Sequence, residues 1–132
     1  MKSTATLSIS LFRIIFYLCA IYFFLMGVAL ITVPHLVTHV AGAQSPIVLG
    51  MLRGAGGSIV PYALLYVIAA KKPHQRLWAL YIIALANVIA IALDLISVFL
   101  GEYLLQYAML DIPIEALSLF VIVVFISRRK KP

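Results

Sequence analysis

Residues 47–100 read IVLGMLRGAGGSIVPYALLYVIAA, KKPHQR, LWALYIIALANVIAIALDLISVFL: two apolar runs of 24 residues on either side of a six-residue basic link. A helix crossing about 30 Å of hydrocarbon needs about 20 mainly apolar residues. Each run is therefore long enough to span a bilayer, and Lys71, Lys72 and Arg76 mark the turn between them. The same pattern extends in both directions. A run over about 12–33 is closed by Pro34, and another starts somewhere in 104–113 and continues to about 127. The expected spans are thus about 12–33, 47–70, 77–100 and 105–127. These spans and their short links account for residues 1–132, so the fold class is all-α, a polytopic membrane protein built as one four-helix transmembrane domain with no soluble module.

Composition agrees with this. Of the 132 residues, 65% are hydrophobic, against roughly 45–50% in soluble domains, and the mean hydropathy is +1.17. The formal charge of +6 does not indicate nucleic acid. Nine of the ten basic residues lie in segments flanking the apolar runs: Lys2, Arg13, Lys71, Lys72, Arg76, Arg128, Arg129, Lys130 and Lys131. Such segments stay cytoplasmic and meet anionic lipid. All four acids, Asp94, Glu102, Asp111 and Glu115, belong to the opposite end. Both termini and the middle link are therefore expected inside, with links one and three outside. Trp78 suits the inner interface, and Tyr103 and Tyr107 the outer one. Expected partners are the bilayer, anionic lipid at its cytoplasmic face, and a second copy or a larger membrane complex.

The N-terminal run resembles a signal peptide only in part. Lys2 and Arg13 suit the charged region and Ala41-Gly42-Ala43 a cleavage site. The apolar run, however, exceeds the usual length of about 7–15 residues and ends well before that tripeptide. It is read as a retained span. The single cysteine, Cys19, allows no internal disulfide and reads as a small buried hydrophobe. Leu64-Leu65-Tyr66 followed by Lys71 fits the loose cholesterol-contact pattern, which an apolar helix ending in Tyr and Lys matches by chance.

Polar groups inside the spans are costly, about 2.5–3.5 kcal/mol per charge on insertion scales, and are the candidate site. Arg53 is the one basic residue away from the inner face. Asp94 lies at a comparable depth in the third span, and Asn87, seven residues earlier, shares its face. Asp111 and Glu115, four apart, share a face if the fourth helix has begun by then, with Pro113 near its first turn. The five residues Arg53, Asn87, Asp94, Asp111 and Glu115 are expected to meet in the outer half of the bundle. An Arg53–Asp94 or Arg53–Glu115 ion pair is the least costly arrangement. One arginine against three acids leaves a surplus of two negative charges. A carboxylate is then protonated, solvated at the rim or paired with a bound cation. His35 and His39, spaced i, i+4, are candidate imidazoles for such a site, although Cys19 and His74 belong to other depths and cannot complete a metal set.

Gly50, Gly54 and Ser58 recur at four-residue steps in the second span, with Ala55, Gly56 and Gly57 alongside. Small residues at that spacing let helices approach closely. Packing within the bundle is the expectation, and homodimerisation is the alternative. Pro61 frees the carbonyl of Gly57 and kinks the helix near Arg53. Such a kink could open a small cavity from the outside, and Tyr17, Tyr22, Tyr62 and Tyr66 are candidates to line it, with packing the more common role of aromatics in membrane helices. Gly56-Gly57 lacks the context of a phosphate-binding loop.

Gly27…Pro34 at the end of the first span, followed by Leu52-Arg53-Gly54-Ala55-Gly56-Gly57, is similar to the small bacterial four-helix membrane proteins grouped as DoxX-like. The likeness covers the first half of the chain. It implies a fold and a place in the bacterial cell membrane more than an activity. No nucleophile–base pair, metal set or cofactor fingerprint occurs, so no cofactor is expected and an enzyme is the weakest reading. The leading expectation is a structural or accessory membrane component whose polar cluster is mutually satisfied. The alternatives are a small oligomeric transporter or proton- or cation-coupled protein, and a binder or enzyme acting on a lipid-like substrate.

Overall fold

The computed structural model describes residues 3–36, 45–102 and 104–129. They form four long helices: α1 (Ser3–Thr32), α2 (Pro46–Lys71), α3 (Leu77–Phe99) and α4 (Leu105–Arg129). No strand occurs among the described residues. Each helix contains a window long and apolar enough to cross a membrane, the first beginning at Ile9. The helix ends have local causes. Ser45 caps α2, its side chain accepting from the Val48 amide, and Pro46 occupies the first turn, where its missing N–H costs nothing. Gly101, at φ +74°, ends α3 in the left-handed region that favours glycine. Gly101 N–H bonds the Val98 carbonyl and Glu102 N–H bonds that of Ser97, which together close a Schellman cap.

Pro61 and Pro113 both lie inside continuous helices. Because α4 starts at Leu105, Pro113 falls in its third turn rather than near its first. Each proline leaves the carbonyl four residues before it without an intrahelical donor.

The chain folds as two hairpins. α1 packs most closely on α2, α3 packs on α4, and the two pairs meet more loosely. The tight α1–α2 contact centres on Gly27 and Gly56. A Cβ on Gly56 would lie 2.6 Å from the Gly27 carbonyl oxygen, and one on Gly27 would lie 2.8 Å from a Val60 methyl. Phe12, Phe16 and Phe23 recur on one face of α1 and stack inward. Phe12–Phe16 ring centroids are 4.2 Å apart, and Phe16 and Phe23 flank Tyr66 at 5.2 and 5.3 Å. Ala63, Ala69, Ala70 and Ala79 fill the narrow spaces. Between apolar helices in lipid, close packing replaces the hydrophobic effect as the driving force, and small residues permit it. The outside is rich in exposed Leu, Ile, Val and Phe, far more than a soluble monomer leaves in contiguous patches.

The two ends of the bundle differ in charge. One, here the basic end, carries Arg13, the 71–76 turn and Arg128; an Arg13 guanidinium N–H reaches the Lys71 carbonyl at 3.4 Å, at the C-terminus of α2. The other, the acidic end, carries the links between α1 and α2 and between α3 and α4.

Candidate functional site

Midway along the bundle a polar knot joins three helices. Tyr62 and Tyr66 come from α2, Asn87 from α3 and Ser118 from α4, and Asn87 is only 1% exposed. The Tyr62 hydroxyl donates to Asn87 Oδ1 at 2.8 Å. Asn87 Nδ2 donates to the Tyr66 and Ser118 hydroxyls, each at 3.0 Å, and those two hydroxyls bond each other at 3.0 Å. Tyr62 also lies 3.3 Å from the Ile83 carbonyl. Buried polar groups need partners, and here every one has them. Tyr62 and Tyr66 pack and also contribute hydroxyls, Tyr62 lining a cavity as the pocket alternative has it, whereas Ser118 is a residue the sequence reading misses. Counting residues from the basic end of each helix finds the knot. Tyr62 is nine residues before Lys71, Asn87 ten after Leu77, and Ser118 ten before Arg128, so about 1.5 Å per residue places all three at one depth.

From this knot towards the acidic end a cavity of about 410 Å³ lies between the hairpins. Its walls are apolar on α1 (Phe23, Met26, Leu30) and mixed on the other helices, where Tyr62, Asn87, Asp111 and Glu115 supply the polar atoms. Asp111 and Glu115 thus share a face of α4. Asp111 is partnered: the Tyr22 hydroxyl donates to its Oδ1 at 2.5 Å and lies 3.2 Å from the Leu110 carbonyl, beside the Pro113 break. Glu115 is 5% exposed, and its Oε2 is sealed from solvent with no hydrogen-bond partner. Asp94, two turns beyond Asn87 and partly buried, lies within charge-interaction range of Asp111 and Glu115. Four of the five sequence-predicted residues, Asn87, Asp94, Asp111 and Glu115, are therefore brought together.

Arg53 is not brought to them. Its side chain is exposed on α2 and forms no ion pair with a described residue. The physical reason is rotation about the helix axis. At about 100° per residue, Arg53 projects about 180° away from Tyr62, which faces the cavity. Depth alone suggested the pair, and azimuth prevents it. The small-residue face departs from expectation in the same way. A Cβ on Gly50, Gly54 or Gly57 would meet nothing within 4 Å, and Ser58 is exposed at the cavity rim, bonding its own Gly54 carbonyl. The close helix contact within the bundle belongs to Gly56 and Gly27 instead.

His39 and Tyr103 lie outside the described residues. Among the described residues no three His, Cys, Asp or Glu side chains are arranged to hold a metal ion. A second cavity of about 310 Å³ lies between α1 and α4 near the basic end; its lining is apolar apart from Arg128. No family model, curated protein or solved structure matches the chain, so its function is argued from this site.

Proposed function

We propose that this multi-pass membrane protein is a ligand-binding component of the transporter class, and that its cavity accepts a positively polarised small molecule with an apolar body. The observation that carries the reading is the buried, unpartnered Glu115 Oε2. An accessory protein needs a polar cluster satisfied within itself. The Asn87 knot meets that description, and the carboxylates beside it do not. Leaving such a group unmade costs about 1–3 kcal/mol, more when charged, and that is reasonable where the missing donor arrives with a ligand. Asp111 and Glu115 line the cavity, Asp94 lies within charge-interaction range of both, and no basic side chain among the described residues lines it, so the complementary ligand is cationic.

The size and walls of the cavity narrow the class. At about 30 Å³ per water, 410 Å³ is room for roughly a dozen waters, well beyond one ion. Phe23 and Tyr62, whose rings meet edge to face at 5.3 Å, offer aromatic surface to an ammonium group. An organic ammonium therefore fits better than a bare metal ion. If the basic end is cytoplasmic, as the distribution of Lys and Arg implies, the cavity lies in the outer half of the membrane. The likeness to DoxX-like proteins remains a proposal about fold.

The test is native mass spectrometry from mild detergent, with benzyltrimethylammonium and its neutral isostere neopentylbenzene as probes. Wild type is expected to retain the cation at least about tenfold better than the isostere, a difference of about 1.4 kcal/mol. Glu115→Gln is expected to abolish that preference while keeping the fold. Equal retention of the two probes, or a preference untouched by Glu115→Gln, overturns the reading and returns the protein to the accessory class.

A further inference from the structure

Two features of the chain are incomplete in one copy and complementary between two. Arg53 is an exposed guanidinium on the apolar body of the bundle, nine residues from Tyr62 towards the acidic end and flanked by Gly50, Gly54 and Gly57, whose missing side chains leave open space. Asp94, one turn beyond Ala90 of the cavity wall towards the acidic end, accepts no hydrogen bond among the described residues and has only other carboxylates as charged neighbours. A cation without an anion and an anion without a cation occur on the same apolar surface, where each is costly.

Their placement allows reciprocal pairing. On α2 the exposed arc is centred on Gly50, Gly57 and Pro61. Arg53 borders it on the side nearer α1, about 60° from Gly56, the residue packed on Gly27. Ser58 borders it on the other side, at the cavity rim. When two copies face each other across a two-fold axis along the membrane normal, the Arg53 side of each opposes the cavity side of the other. This is the self-complementary geometry of an isologous dimer. Depth agrees as well. Arg53 lies nine residues, about 13.5 Å, from Tyr62 towards the acidic end, and Asp94 lies seven residues, about 10.5 Å, from Asn87 in the same direction. Tyr62 and Asn87 are themselves hydrogen-bonded. The two charges thus differ in depth by about 3 Å, within the reach of an arginine side chain. The glycine strip lets the two α2 backbones approach closely enough for that reach.

We infer that the protein is a parallel two-fold homodimer packed through the Gly50/Gly54/Gly57 face of α2, in which Arg53 of each copy pairs with Asp94 of the other. One arginine per cavity neutralises one of three acids. Asp111 keeps its Tyr22 partner and Glu115 stays available to a ligand, so the dimer neither requires nor excludes the cationic ligand proposed above. It places a residue of the second copy beside that cavity.

The experiment measures the dimer fraction in liposomes, without ligand, by energy transfer between donor- and acceptor-labelled copies, with helicity by circular dichroism as the folding control. Wild type is expected to dimerise. Arg53→Asp and Asp94→Arg should each lower the association constant by about tenfold or more, and the combined charge exchange should restore it to within about threefold of wild type, since paired charges are recovered. Gly57→Leu should abolish dimerisation while the monomer keeps its thermal stability, because nothing within the chain lies where the new side chain goes. A monomeric wild type, with Arg53 reaching the headgroups by snorkelling, overturns the inference. So does a combined variant as weak as the single ones, or an Arg53→Asp chain that dimerises like wild type. A ligand that still binds a monomeric protein would remove the dimer alone and leave the cavity reading intact.

Discussion

Replacing Asn87 by leucine measures what the buried polar knot contributes. The side chain is 1% exposed and makes three well-placed bonds: from Tyr62 at 2.8 Å, and to Tyr66 and Ser118 at 3.0 Å each. Leucine is close in volume, so neither a large cavity nor an overpacked core complicates the result. The surviving hydroxyls re-pair in part. Tyr66 and Ser118 already bond each other at 3.0 Å, and Tyr62 keeps the Ile83 carbonyl at 3.3 Å. Double-mutant cycles in a membrane bundle average about 0.6 kcal/mol per side-chain hydrogen bond, and three such bonds come to about 2 kcal/mol. Estimates made for water-soluble cores, at about 1–3 kcal/mol for each stranded group, would give several times that. The assay is reversible unfolding in mixed micelles with increasing denaturing detergent, wild type beside Asn87→Leu, and Ser118→Ala added to close a cycle. A loss of about 2 kcal/mol is expected, with coupling between positions 87 and 118 of roughly 0.5–1 kcal/mol. A loss below about 0.5 kcal/mol would refute the knot as a determinant of helix register.

Three further outcomes separate the roles of neighbouring residues. Gly56→Ala is expected to destabilise by about 1–3 kcal/mol because its methyl meets the Gly27 carbonyl at 2.6 Å, whereas Gly54→Ala, with open space around it, leaves monomer stability unchanged or slightly raised; parallel detergent titrations of the two variants decide. Tyr22→Phe removes the hydroxyl that donates to Asp111 and is expected to cost about 1 kcal/mol in the same titration, with no change in the helicity of α4. Glu115→Leu removes a sealed, unpartnered oxygen and is expected to raise the stability of the ligand-free protein by about 1 kcal/mol or more, while eliminating cation retention in native mass spectra; a destabilised variant would show that Glu115 is already satisfied.

Much of the fold is legible in the chain because hydropathy and helix-end chemistry are local. Ser45-Pro46 starts α2 and Gly101 stops α3 by rules that involve only a few neighbouring residues. The shared face of Asp111 and Glu115, and that of Asn87 and Asp94, follow from helical periodicity alone. What a single helix cannot reveal is which of its faces meets a neighbour. Helix α2 carries glycines on two faces, and nothing in their spacing distinguishes Gly56, which touches Gly27, from Gly50 and Gly54, which touch nothing. Depth alone pairs Arg53 with the acids, and depth is only one of the two coordinates of a helical position. The partnering of Asn87 was legible in principle, since Tyr62 and Ser118 lie at the same count from the basic end. Hydroxyl-bearing residues in apolar runs are easily passed over as packing.

The difference between the satisfied and the unsatisfied polar groups explains how one small bundle can combine a fixed fold with a site. In a soluble protein, burying an apolar stripe selects the neighbour. In lipid both faces of a helix are apolar, and burial selects little. Register and rotation must then be set by shape and by the few polar atoms. The Gly27–Gly56 contact does this for α1 and α2, and the knot does it for α2, α3 and α4. Glu115 cannot be doing the same, because a group that fixes the fold must be satisfied by the fold. Its Oε2 has no partner one turn from a knot in which every hydroxyl and amide has one. Had the carboxyl served stability alone, an apolar side chain at position 115 would have served better, so its donor is to be sought outside the single chain.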